Sequence, residues 1–175
     1  MWRRVKQVFA ALTAKVAAAD REFVAAWLTP GEQALFFAMN VPDQHHALQV
    51  AHAARRLAAG RENVDTGLLT RCALLHDVGK VKGDVSTFDK ALAVLAHRLA
   101  PSWAEGWGRP GRGGRVANLR HALHVYFRHP ERSAALLAGI GADERLLAII
   151  RRHHWPPSPG EPPELTILRE ADDLH

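Results

Sequence analysis

"ALLHDVGK", residues 73–80, sets a histidine, an aspartate and a lysine at the end of an apolar run. Leu74 and Leu75 call for burial, yet a buried ionised carboxylate costs several kcal/mol unless it is paired or ligates a cation. One helical turn back on the face of Asp77 lie Ala73 and Leu74, so its own helix supplies no preceding lysine or arginine. Two answers stand: metal ligation, or a salt bridge brought from elsewhere in the fold. Adjacent residues such as His76 and Asp77 point about 100° apart on a helix. One cation set against the helix end could be reached by both, or Asp77 could bridge two.

Working outward, nearly every segment repeats apolar residues at i, i+3, i+4 and i+7, and strand-like alternation is scarcely visible, which predicts an all-α protein. The segment "DTGLLTRCALLHDVGK" (65–80) is apolar all round, the mark of a helix buried in the middle of a bundle, and Gly79 is placed to end it. Before it, Thr29, Pro30 and Glu32 spell a helix start with a capping box, and a helix from near Asp43 runs to a stop at Gly60. After it, "STFDKALAVLAHRLA" reads as a helix capped by Ser86 or Thr87 and closed by Pro101. The glycine- and arginine-rich stretch 102–115 reads as one long irregular loop, of the sort that is functional or disordered. Separate helices are expected in 115–127, 130–140 and 143–154, then a proline-rich extended segment and a short last helix over 165–175.

The chain has 175 residues, enough for one domain that buries roughly two thirds of the surface of its unfolded form. We expect a single domain over 1–175, with 1–40 as a helical extension and 43–175 as its core. The net charge of +5 comes from 23 basic and 18 acidic residues, mostly interspersed. That excludes a basic tail for nucleic acid and suits an anionic small molecule. One cysteine, Cys72, rules out an intrachain disulfide and fits a reducing compartment. The start carries Arg3, Arg4 and Lys6 before a modest apolar run, but Lys6, Gln7 and Lys15 break it. It reads as an amphipathic helix of a cytoplasmic protein rather than a signal peptide or membrane span.

Eleven histidines is a high count, and their placement matters more. His46, the His76–Asp77 pair, His153–His154 and Asp172 all fall in apolar, helical surroundings, and His129 precedes Pro130. Imidazole and carboxylate donors without thiolates suit Fe, Mn, Zn, Ni or Co. His45 and His52 project away from His46, and His121 and His124 share a half-exposed helix face. Asp173 and His175 compete with Asp172 in the last turn.

The spaced pattern "HALQVA" (46–51), "LLHDVGK" (74–80) and "READDLH" (169–175) resembles the HD-domain superfamily of metal-dependent phosphohydrolases, over residues 43–175. The resemblance implies an HD-domain helical bundle whose central helix carries the His-Asp pair, and a first metal on His46, His76, Asp77 and Asp172. "RHPERSAALL" (128–137) is similar to the "HPxxG" helix start of two-metal members, with Ser133 in place of glycine, and "IIRRHHW" (149–155) to their paired histidines. By that likeness His129, His153 and His154 hold a second ion, with Asp77 bridging. The "GYP" signature of the cyclic-dinucleotide branch is missing, since the chain reads "HHWPPSPGEPPE" there.

The expected function is hydrolysis of a nucleotide or other small phosphate ester or anhydride by metal-activated water, with one or two divalent ions. Asp77 and Lys80 are the expected catalytic pair. Lys80, Arg109, Arg112 and Arg115 are the expected phosphate contacts, because guanidinium and ammonium groups suit phosphate. The expected partner is a small phosphorylated substrate of nucleotide type, with no stable nucleic-acid complex, and a homodimer is left open. The alternative is an HD-fold signalling or scaffold module that binds metal and ligand with little turnover.

Overall fold

Among residues 16–175, which the computed structural model describes, the chain forms α-helices and no strand. They are α1 (Ala18–Trp27), α2 (Pro30–Phe37), α3 (Val41–Ala58), α4 (Thr66–Leu75), α5 (Thr87–Leu99), α6 (Pro101–Trp107), α7 (Arg115–Ala138), α8 (Glu144–Arg152) and α9 (Pro163–Asp173). The part of the expected first helix that holds Arg3, Arg4 and Lys6 lies outside the described residues.

Helix α4 is the hub. It packs against α1, α2, α3, α8 and α9, because Leu69, Leu74 and Leu75 are fully buried on different sides of it. Each such side chain contributes about 1.5–3 kcal/mol on leaving water. Polar contacts then fix its position. Asp65 caps its start through Leu68 N at 2.9 Å, and the Asp65 N–H donates to the buried Glu164 of α9 at 2.7 Å. Arg71 pairs with Glu32 of α2 at 2.6 Å. Glu32 also closes the expected capping box with Thr29.

Three elements differ from the sequence reading. The central helix stops at Leu75, and His76 and Asp77 follow it as its C-cap and first turn residue. Gly79 is needed for a different reason from a left-handed stop: a Cβ there would lie 2.7 Å from the His129 carbonyl oxygen and 2.8 Å from Ser133 N. It lets the turn touch α7. Second, the stretch taken as irregular begins as helix α6, with Pro101 at its first turn, Ala104 buried and Trp103 stacked on Trp107 at 5.2 Å. Only the glycine-rich part after it is irregular. Third, 115–127 and 130–140 join into one helix, α7, with Pro130 inside it.

That continuity has a local cause. Proline lacks the N–H that would reach the carbonyl four residues back, here Tyr126. The His129 ring Nδ1 lies 2.6 Å from that same oxygen and satisfies it instead.

Candidate metal centre

His76 caps the C-terminus of α4 and His153 that of α8. The last carbonyls of a helix have no backbone partner, and both rings turn back onto one: His76 Nδ1 is 2.8 Å from Ala73 O, and His153 Nδ1 is 2.6 Å from Ile150 O. With His129 on Tyr126 O, three buried rings share one arrangement. A carbonyl only accepts, so Nδ1 carries the proton in each, and in the neutral ring Nε2 presents a lone pair.

Those Nε2 atoms converge around Asp77. His46, on α3, places Nε2 2.9 Å from Asp172 Oδ1 on α9 and 3.9 Å from Asp77 Oδ2. His76 Nε2 lies 3.6 Å from both of those carboxylate oxygens, beyond hydrogen-bond reach. On the other side, His129 Nε2 is 3.3 Å from Asp77 Oδ1 and 3.0 Å from His154 Nε2. Since His129 already donates from Nδ1, the proton of that last contact belongs to His154. In each of the groups His46–His76–Asp172, His76–Asp77–His153 and His129–His153–His154, one donor atom per residue lies within 4.8 Å of the others. Asp77 faces His46 and His76 of the first group with Oδ2 and His129 of the third with Oδ1.

A cation fits these residues. His76 Nε2, His153 Nε2 and Asp77 Oδ1 are buried and make no hydrogen bond, a costly arrangement for groups that nothing else pairs. The donors are imidazole nitrogens and carboxylate oxygens, the set that suits a divalent transition metal.

The charges at the site follow from burial and neighbours. Burial, with Lys80 nearby, holds His129 well below the usual histidine range, and burial with His76 and His154 beside it lowers His153 to about 3. Both are neutral at pH 7, as ligands must be. Burial would raise Asp77, but Lys80, His76 and His129 outweigh it and keep the carboxyl far below its ordinary value. Asp172 is likewise lowered, burial being overcome by His46 and His76. His76 goes the other way: burial lowers it, and the Asp77 and Asp172 charges raise it by more. His154 is lowered by burial of its ring.

The bland answer to the buried carboxylate is also present. Lys80, three residues after Asp77 rather than before it, donates from Nζ to Asp77 Oδ2 at 2.7 Å. It accounts for one oxygen and leaves the convergent histidines unexplained.

Asp77, Lys80, His129, His154 and Asp172 open into a cavity of about 510 Å³. The three arginines expected there are elsewhere. Arg109 donates to the Gly106 and Gly108 carbonyls and Arg112 to Gly83, and neither they nor the exposed Arg115 lines this cavity. His52 is exposed and stacks on Phe23 at 4.5 Å. Asp173 and His175 are exposed, which leaves Asp172 as the inward carboxylate of the last turn.

His121 departs from the half-exposed face expected of it: it is buried, 2.7 Å from Asp84, and Asp84 also pairs with Arg132. Arg132 donates to Gly79 O, and Ser133 Oγ accepts from Gly79 N and donates to His76 O. The sequence reading noticed Ser133 only as a departure from glycine. It clamps the turn that carries His76 and Asp77 against α7.

A family model described as HD domain matches residues 44–175. No curated protein and no solved structure matches the chain.

Proposed function

The chain belongs to the HD-domain family, and from that premise we propose that it is a metal-dependent phosphohydrolase acting on a nucleotide or other small phosphate ester or anhydride. One observation carries the reading: three buried histidines have Nδ1 committed to backbone carbonyls, so their Nε2 lone pairs are left to converge on the two oxygens of Asp77. Residues positioned this way hold a ligand ring in one tautomer and one direction.

His46, His76, Asp77 and Asp172 would hold one ion, and His129, His153 and His154, with Asp77 shared, a second. Iron, manganese, zinc, nickel or cobalt suits such mixed nitrogen and oxygen donors. A bound ion supplies Lewis acidity and brings the pKa of water toward 7. The chain's own residues do the rest. Asp77, ionised and at the inner end of the cavity, is the acceptor for a water proton. Lys80 reaches the same oxygen and offers a phosphate its ammonium when the ligand enters. His154 and Asp172, at the boundary between the centre and the cavity, set where the phosphorus can approach.

Metal analysis of the pure protein, handled so that iron stays reduced, should find at least one transition metal per chain. Asp77→Ala should lose that metal and any hydrolysis of a panel of phosphate monoesters, diesters and nucleotides. A metal-free wild type, or activity that survives the substitution, would overturn the mechanism. Metal retained without turnover would make the chain a binding module instead.

A further inference from the structure

Beside the histidine cluster the same cavity has a second wall. Tyr126 precedes His129 by three residues on α7, about 4.5 Å along the axis, and its carbonyl is the one that His129 caps. Its ring packs on His97 of α5 at 5.1 Å and on Phe127 at 5.2 Å, and His97 meets Phe127 at 5.3 Å. All three line the cavity. His97 Nδ1 is buried and makes no hydrogen bond, so a ligand edge that reaches it satisfies a nitrogen that the protein does not.

The charges on this wall restrict what else the ligand can carry. Its cations are Lys80 and Arg128, and each already faces carboxylate: Lys80 on Asp77 at 2.7 Å, Arg128 within 3.6 Å of Glu131 and 3.9 Å of Glu105. Glu105 and Glu131 line the cavity themselves. A chain of several phosphates would set its added charge against these glutamates, with no spare guanidinium to balance it. A single phosphate at the histidine cluster meets no such conflict.

Taking the hydrolase reading as the premise, we propose that the site takes singly phosphorylated compounds bearing a planar aromatic ring, of the nucleoside monophosphate type. The ring is held at His97, Tyr126 and Phe127 and the phosphate beside Lys80. Aromatic side chains hold bases by stacking, and His97 Nδ1 pairs with the ring's edge. His97 of α5 is thus a specificity residue on the cavity wall beside the chemistry.

The test is equilibrium binding by calorimetry to the full chain loaded with Mn²⁺, free metal held constant. The probes are adenosine and uridine 5′-monophosphates, adenosine 5′-diphosphate and ribose 5-phosphate, replaced by their phosphorothioates where turnover intervenes. At least one nucleoside monophosphate should bind about tenfold or more tightly than ribose 5-phosphate, the scale of one stacked base, and the diphosphate should gain nothing over the monophosphate. His97→Ala and Phe127→Leu should each erase that preference, with ribose 5-phosphate affinity and metal content unchanged. Equal affinity for ring-bearing and ringless probes, a diphosphate bound about tenfold more tightly than the monophosphate, or loss of affinity for both kinds alike in the variants, overturns the proposal. Failure of the hydrolase reading has another signature: a chain that binds adenosine 5′-monophosphate through His97 yet hydrolyses no phosphate ester keeps the ring slot and loses the enzyme.

Discussion

Asp77 and Ser133 divide the work of one turn. The carboxylate stands between two sets of histidine nitrogens, and the serine holds the backbone on which it stands. Ser133 Oγ accepts from Gly79 N at 2.9 Å and donates to His76 O at 2.8 Å, all fully buried. Ser133→Ala therefore strands a donor and an acceptor away from water, and urea unfolding should show a loss of about 1–3 kcal/mol. Ser133→Gly should cost at least as much, since it removes the same hydroxyl and adds a glycine inside α7. A loss under a few tenths would mean that other groups repair the turn. The chemistry of "LLHDVGK" was legible because a buried histidine-aspartate pair calls for a partner. What the stretch did not announce is that its own lysine pairs with the aspartate, Lys80 Nζ lying 2.7 Å from Asp77 Oδ2. Local sequence does not tell which of two neighbouring charges a side chain will choose.

At the level of elements, capping and periodicity placed most helices, and failures fell where a side chain replaced a backbone bond. Thr29 and Glu32 form the capping box that their spacing announces. Pro130 reads as a break, yet α7 passes through it because His129 occupies the carbonyl that proline abandons. No propensity scale includes that substitution of a ring for an amide. Helix α6 is the exception: there the glycines at 106 and 108 hid the stacked Trp103 and Trp107. The proline also has a consequence for function. Pro130→Ala restores an amide that competes for Tyr126 O, which frees the His129 ring to turn and to exchange tautomers. Helix stability should hold or rise, since proline is disfavoured in a helix interior. Affinity at the His129 side should fall about 10–100-fold, as when a ligand's supporting partner is lost. Titrating metal into both proteins and counting ions by mass spectrometry checks it, and an unchanged second site would show that packing alone orients His129.

For the molecule as a whole, a metal centre inside a bundle ties folding to pH. Helices from across the described chain meet at Asp77: α3 brings His46, α4 His76, α7 His129, α8 His153 and His154, and α9 Asp172. Residues 126 apart in sequence touch there, so the motif spacing could suggest the convergence but not its distances. His129, His153 and His154 have pKa values lowered by burial, with His153 at about 3. Below the ordinary histidine pKa of about 6.5 the unfolded chain takes up protons that these rings refuse, so stability must fall as the pH drops from there. His76 is raised and opposes this, since its contribution is fullest below that pKa and fades at higher pH. Asp77 and Asp172, both lowered, add their loss only below the ordinary carboxyl range, near pH 4. Three lowered histidines against one raised give a net decline on the acid side. Urea unfolding of the metal-free chain should thus show a lower midpoint at pH 5 than at pH 7. Metal at 100 times its dissociation constant should add about 2.7 kcal/mol at pH 7. That increment should shrink at pH 5, because protons and metal compete for the same Nε2 lone pairs. A midpoint that rises on acidification would mean that His76 dominates the cluster, and a metal increment independent of pH would mean that the ion is not held by these histidines.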